Sequence, residues 1–322
     1  MIDISIIMPV FNGEGTLART LQSVSSQLKQ KVEIVIIDDG STDATSEILT
    51  RFAARMGAFC QIIRQENAGA ASARNRGIAA ANGEYLVFLD ADDQLSDLAI
   101  STIQERVSKG IDILGWDWTN MRNGRSSNYR QSDYSKPEDA IKNLMGGTMK
   151  WNLWLFAIKR QLVLDNSISF LEGSDMGEDM AFILKCFASA KTVEQIHESL
   201  YKYNITNPTS ISQELNERRR GEVTRNLVSA VLYLQRTTFA DICQEYLPHL
   251  KLYIKLPLLI STSERDYQTW YNWFPEANAY AMNNLALPLR TRLLQGLASK
   301  QMWRAVKFYN ILYRQVVCLR YR

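Results

Sequence analysis

Residues 4–43 read ISIIMPVFNGEGTLARTLQSVSSQLKQKVEIVIIDDGSTD, and this stretch decides the fold. Ile4–Val10 is apolar and rich in β-branched residues, as a buried strand requires. Thr16–Gln27 reads as a helix and Glu33–Ile37 as a second strand. The Ser41-Thr42-Asp43 cluster then opens another helix, because its side chains can satisfy the first free N–H groups. The same rhythm continues. Phe59–Arg64 and Tyr85–Leu89 read as strands, with a helix over Ala70–Asn82 between them. A helix over Leu98–Lys109, capped at Ser96, leads to a strand over Asp112–Trp116. Such alternation implies an α/β fold: a mostly parallel, Rossmann-like sheet sandwiched by helices. Ligands of such sheets bind at the carboxyl ends of the strands. The polar clusters fall there: Asn12 after the first strand, Asp38-Asp39 after the second, and Asp90-Asp92-Asp93 after the fourth.

With 322 residues, 46% apolar and 22% charged, the chain can bury a sizeable core. Net charge is +3 but unevenly spread. From Ala277 onward Arg290, Arg292, Lys300, Arg304, Lys307, Arg314, Arg320 and Arg322 stand without a single Asp or Glu. Cys60, Cys186, Cys243 and Cys318 lack metal-ligand spacing and read as free thiols in a reducing compartment. The N-terminus does not read as a signal peptide, and no apolar run reaches the ~18 residues of a membrane span. The expectation is a cytoplasmic protein. Residues 120–136 (NMRNGRSSNYRQSDYSK) read as a loop or irregular excursion. Helical patterning returns at Pro137–Leu144 and Asp179–Ala188, with strand-like Tyr201–Tyr203 beyond. After about Asn216 the pattern becomes helical to the end, which sets the expected domains at 1–215 and 216–322.

Gly13-Glu14-Gly15-Thr16-Leu17-Ala18 matches G-x-G-x-x-A, with Asp38 twenty residues beyond Ala18, the spacing of a dinucleotide fingerprint. In that fingerprint the first glycine follows the strand directly, whereas Pro9-Val10-Phe11-Asn12 intervene here. An NAD-dependent dehydrogenase would also leave the aspartates after the fourth strand without work. Those aspartates suit a hard divalent cation, Mg²⁺ or Mn²⁺, completed by phosphate oxygens and water. The alternative for them is an acidic helix cap, for which one aspartate would suffice. At the second strand tip, a carboxylate of Asp38-Asp39 could accept the imide N–H of a uracil.

PVFN (9–12), DDGSTD (38–43), NAGAASARNRG (67–77), FLDADD (88–93) and GED (177–179) resemble, in order and spacing, the family 2 glycosyltransferases of the GT-A fold. The resemblance covers roughly residues 3–213. It implies an inverting, metal-dependent transfer of a sugar from a nucleotide sugar, UDP-linked, to a saccharide or lipid-linked hydroxyl in surface polysaccharide or lipopolysaccharide synthesis. The other reading is a catalytically silent sugar-nucleotide-binding subunit. By position, Pro9 and Phe11 would line the nucleobase pocket beside Asn12 and Asp38, and Asp39 would accept from the base. Arg74, with Asn75 beside it, would approach the nucleotide or else be a helix-surface arginine. Asp90, with Ala91, would meet ribose or sugar, and Asp92 would bind Mn²⁺ or Mg²⁺. Asp179 would be the general base and Glu178 its support or an acceptor contact.

The chain departs from the family at Tyr203-Asn204, where the family carries Tyr-Arg before a serine of the closing loop. Ser210 would still reach phosphate, and Lys202 is a substitute cation. His197 reads as structural rather than as a third metal ligand. Trp151 and Trp154 lie where the family builds its acceptor side, or else belong to the core. The basic tail, 302–322, fits an amphipathic helix on the anionic inner face of the cytoplasmic membrane, or a packed terminal helix with a solvated basic face. No nucleic-acid-binding module accompanies the charge, so nucleic acid is not an expected partner.

Overall fold

The computed structural model describes residues 2–28, 31–205, 215–261 and 263–320, with side chains through residue 312. Nine strands form one mixed sheet: β1 (Ile4–Val10), β2 (Val32–Asp38), β3 (Cys60–Arg64), β4 (Tyr85–Phe88), β5 (Gln94–Leu95), β6 (Ile113–Arg122), β7 (Arg125–Tyr129), β8 (Phe156–Lys159) and β9 (Val193–Asn204). Their order is β3-β2-β1-β4-β8-β6-β9-β5, with β7 paired to β6. The half β3-β2-β1-β4 is wholly parallel, so four strand ends open on one edge. Beyond β4 the pairing with β8 turns antiparallel, and β9 runs parallel to β6.

Along the chain run the helices α1 (Leu17–Ser25), α2 (Thr45–Met56), α3 (Ala70–Ala80), α4 (Ala99–Val107), α5 (Pro137–Gly146), α6 (Arg160–Asp165), α7 (Glu178–Ser189) and α8 (Glu217–Leu234). Four more follow: α9 (Ala240–Ile260), α10 (Glu264–Asn272), α11 (Leu289–Ser299) and α12 (Trp303–Arg320). The α/β reading with terminal helices holds.

The approach of α3 to the sheet positions the site. Ala73 packs with Val35 and Ile37, and a Cβ at Gly77 would lie 2.5 Å from Ile7 Cγ2. Only small residues admit that approach, and it aims Arg74, the next residue after Ala73, along the strand ends.

Residues 120–136 differ from the expected irregular excursion. The segment continues β6 to Arg122, turns at Asn123-Gly124 and returns as β7. Both turn residues have positive φ, 48° and 77°, as a two-residue hairpin turn requires. All of β7 is exposed, so no apolar alternation marked it.

The chain divides into two compact units, 1–140 with 151–237 and 141–150 with 238–322. The division therefore falls after α8, beyond the expected 215/216. Asn226 of α8, 1% exposed, donates through Nδ2 to Ser174 O (2.9 Å) and Met176 O (3.0 Å). Lys185 Nζ of α7 donates to Ser229 Oγ at 2.8 Å. In the second unit Lys255 is fully buried, donating to the carbonyls of Trp273 and Phe274 and to Asn278 Oδ1 (2.9, 3.2 and 2.6 Å). Its ammonium also lies 4.2 Å from the Trp270 ring centre.

Candidate active site

The first two strand ends are stitched together. Asn12 sits at φ 50°, donates its N–H to Ser41 Oγ (3.0 Å) and accepts at Oδ1 from Thr42 N–H (2.8 Å). Gly13 N–H donates to Thr45 Oγ1 at 2.8 Å, so the G-x-G turn is tied to the second loop. Phe11, at the end of β1, stands 51% exposed.

Asp38 is buried and committed to its own loop. Burial works against its charge, yet donors from Ser41 and Ser46 and the nearby Arg64 guanidinium (3.3 Å) hold its pKa below the ordinary value. Asp39 accepts from Gln65 Nε2 (2.8 Å), Ala68 N–H (2.9 Å) and Gly69 N–H (2.9 Å). A carboxylate offers about four lone-pair sites, so one remains for a further donor. Gly40 is demanded by geometry: its φ is +77°, and a Cβ would lie 2.9 Å from Asn67 N.

The acidic turn after β4 is braced on α1, where Thr16 and Thr20 hydroxyls both donate to Ala91 O at 3.0 Å. Its three carboxylates have different surroundings. Asp93 is fully buried and accepts from Tyr201 Oη (2.8 Å) and Asn204 N–H (2.7 Å). Burial first, then the charges of Asp90 and Asp92, raise its pKa well above the ordinary value. Asp90 is pushed up to about 6, by burial foremost and against the pull of Arg74. Asp92 stays half-exposed on the turn.

Arg74 gathers the rest. Its Nη1 lies 2.8 Å from Glu178 Oε1 and 3.3 Å from Asp179 Oδ1, and its Nη2 lies 3.3 Å from Asp90 Oδ1. The guanidinium is buried, with the Phe170 ring centre 5.7 Å away. Burial opposes its charge, but Asp179, Glu178 and Asp90 outweigh it and raise the pKa. The structure thus sets Arg74 among the carboxylates of the acidic cluster. Neighbouring Asn75 pairs with the backbone of Phe170 instead.

Glu178 and Asp179 open α7 behind Gly177, whose φ of +78° makes the bend. Burial, then repulsion from Asp179, pushes Glu178 up to about 8. Asp179 Oδ2 accepts from Leu153 N–H at 3.3 Å, while its buried Oδ1 has no hydrogen-bond partner.

Trp154 is 4% exposed and stacked on Tyr201 (4.3 Å) and Tyr203 (5.3 Å). Trp151 is half-buried. His197 is held by Asp117 Oδ2 (3.1 Å) and Asp133 Oδ1 (2.5 Å). Lys202 pairs with Asp97 at 3.5 Å. Asn204 stands where the family has arginine, and it grips Asp93 and the Asp92 carbonyl. Ser210 lies outside the described residues.

Three residues escaped the sequence reading. Tyr201 Oη bridges Asp93 and Asp90 N–H. Asp175 Oδ1 accepts from Ala71 N–H at 2.8 Å and caps α3, in a spot that a side chain on Gly69 would fill. Asn226 holds the 174–176 backbone just before Glu178. Only Asp175, four residues before Asp179, carried a local signal.

Among the described residues no three His, Cys, Asp or Glu side chains converge as a closed metal cage. Asp92 beside the Arg74-paired Asp90 is an open, oxygen-only donor set. That set fits a hard divalent ion that keeps water and phosphate ligands, and it does not fit zinc.

A family model described as glycosyl transferase family 2 matches residues 5–177. An uncharacterized glycosyltransferase, EpsJ of Bacillus subtilis (strain 168), is 28% identical over 272 residues, 81% of this chain and 78% of its own. Among solved structures, residues 1–349 of Staphylococcus aureus TarS in complex with UDP-GlcNAc superpose with a TM-score of 0.73 at 18% identity, covering 98% of this chain and 92% of that one. A Pyrobaculum calidifontis mannosyltransferase in complex with GDP-Man and Mn²⁺ gives 0.53 at 18% identity, covering 96% and 84%. The fold is GT-A type, and the chain belongs to glycosyl transferase family 2.

Proposed function

We propose that the protein transfers a hexosyl group from a nucleotide sugar, UDP-linked, to a saccharide or lipid-linked hydroxyl, with inversion at the anomeric carbon. The observation that carries the reading is Asp179 Oδ1, a buried acceptor without a hydrogen-bond partner beside the Arg74 guanidinium. An incoming hydroxyl supplies the missing donor. As its oxygen attacks the anomeric carbon, the proton passes to Asp179 Oδ1, and the sugar–phosphate bond breaks on the opposite face. Arg74 holds Asp179, Glu178 and Asp90 in one arrangement, so the base is positioned before the acceptor arrives.

Phe11 offers an exposed ring to the base, with Pro9 on the same strand, and the remaining lone pair of Asp39 accepts the uracil imide. Asp38 and Asn12 serve the nucleotide through the loop they stitch. Asp90 and the Ala91 turn meet ribose or sugar, Ser210 the phosphates, and Trp151 the acceptor. Asp92 would hold Mn²⁺ or Mg²⁺, which would neutralise the departing diphosphate. The nucleotide sugars bound by TarS and the Pyrobaculum calidifontis mannosyltransferase support this donor class. Surface polysaccharide or lipopolysaccharide assembly at the cytoplasmic membrane suits such a reaction.

A nucleotide-sugar screen with Mn²⁺, followed by UDP titration and transfer assays, tests the reading. Wild type should bind UDP more tightly with Mn²⁺ and transfer sugar, whereas Asp179→Asn should bind UDP but not transfer. If both proteins bind UDP and neither transfers, the silent-subunit reading stands instead. If UDP binding ignores Mn²⁺, the role given to Asp92 fails.

A further inference from the structure

The second unit carries an exposed surface that the transfer reaction does not use. On α12, Arg304, Lys307, Phe308, Ile311 and Leu312 are all exposed, at the spacing i, i+3, i+4, i+7 and i+8 of one helix face. Phe308 is 63% exposed, while Val306 and Asn310 face inward and are buried. The rotation of the helix is fixed by Asn310, whose Nδ2 donates to Leu259 O (2.6 Å), Ser261 O (3.2 Å) and Tyr267 Oη (3.3 Å). Turning Phe308 inward would orphan that buried amide.

Beside it, α11 exposes Leu289 and Leu293, one turn apart. Tyr309 Oη donates to Arg290 O at 3.4 Å, which keeps the two helices together. Single exposed leucines are ordinary, but a locked stripe of three apolar residues with a second pair alongside is a surface with a use.

The charge decides what covers it. From Ala277 onward the chain has only cations. A second copy would set Arg304 and Lys307 against their own kind, since a twofold interface pairs the same patch with itself. We infer that the α11–α12 face lies on an anionic lipid bilayer, with Phe308, Ile311, Leu312, Leu289 and Leu293 in the headgroup–acyl boundary and Arg304 and Lys307 on the headgroups. No helix among the described residues is long and apolar enough to span a membrane, so the contact is peripheral.

The test is co-sedimentation of the full chain with vesicles of phosphatidylcholine, or of phosphatidylcholine with one quarter phosphatidylglycerol. Wild type pellets with the anionic vesicles and stays in solution with neutral ones. Arg304→Glu/Lys307→Glu and Phe308→Ser/Leu312→Ser each weaken the binding roughly tenfold or more, with unchanged helicity and Tm because all four side chains are exposed. Wild type left in solution with anionic vesicles overturns the inference. So does equal binding to both vesicle types, or a lipid-free dimer that Phe308→Ser disperses. The outcome is separable from the catalytic reading, because UDP binding is measured without vesicles.

Discussion

The Nη1 of Arg74 lies 2.8 Å from Oε1 of Glu178, across 104 residues of sequence, with Arg74 buried and Glu178 half-buried. This contact draws three carboxylates from two separate loops around one cation. Removing a partner from a buried charge cluster costs about 3–5 kcal/mol, because the charges left behind are uncompensated. Arg74→Met should therefore lower Tm more than any surface arginine variant, with a smaller deficit at acid pH, where the carboxyls protonate. Thermal unfolding at pH 5 and pH 8 checks both halves of the expectation.

Glu178 gives stability a pH dependence of definite sign. Its folded pKa, raised to about 8 from 4.5 mainly by burial, means the native state keeps a proton that the unfolded chain releases. Its contribution is thus fully present below about pH 4.5 and lost as pH rises through about 8, at no more than ~1.4 kcal/mol per pH unit. Between pH 5 and 8.5 the wild-type Tm should fall more steeply than that of Glu178→Gln, which cannot ionise. Equal slopes in the two proteins would remove Glu178 as the cause.

Asn226→Leu leaves the carbonyls of Ser174 and Met176 without their buried donor, at about 1–3 kcal/mol for a dry unsatisfied group. Because those carbonyls precede Glu178 and Asp179 directly, the variant should lose transfer rate as well as stability. UDP affinity should change less than transfer rate, since Asn226 reaches the nucleotide side only indirectly, through Asp175 and its cap on Ala71 N–H. Calorimetry and UDP titration on the same sample separate the two effects.

Gly69 combines φ +90° with a position where a Cβ would lie 2.1 Å from Asp175 Oδ2. Gly69→Ala should displace Asp175 from its cap on Ala71 N–H and loosen α3, the helix that carries Arg74. Asp175→Ala removes only the cap, at about 1 kcal/mol. The order of Tm values, wild type above Asp175→Ala above Gly69→Ala, is the measurable outcome.

Lys255→Met should destabilise the second unit, because it strips the carbonyls of Trp273 and Phe274 and the Asn278 amide oxygen of a shared donor. At about 1–3 kcal/mol per acceptor left dry, the loss should show clearly in chemical denaturation. Lys255→Arg cannot reproduce the compact ammonium over Trp270 and should rescue little.

The sequence made the strand–helix rhythm of the first 115 residues legible, since buried parallel strands must be apolar and their tips polar. It made the acidic turn at 90–93 legible for the same reason, and the Glu178-Asp179 pair through the family resemblance. It hid β7, whose five exposed residues lack alternation, although Asn123-Gly124 was the available hairpin signal. Trp154 is a subtler case. Aromatic residues serve cores and sugar sites equally well, and its stacking on Tyr201 is a contact that no local pattern announces.

By itself the chain determined which residue types stand at the strand ends, because periodicity and turn chemistry act over a few residues. Only the tertiary structure decided their partners. It set Arg74 among carboxylates, tied Asp38 into its own loop, buried Asp93 under Tyr201, and drew Asn226 of α8 to the backbone just before Glu178. Each is a contact between residues whose distance along the chain carries no local signal, or a choice between donors that only packing can make.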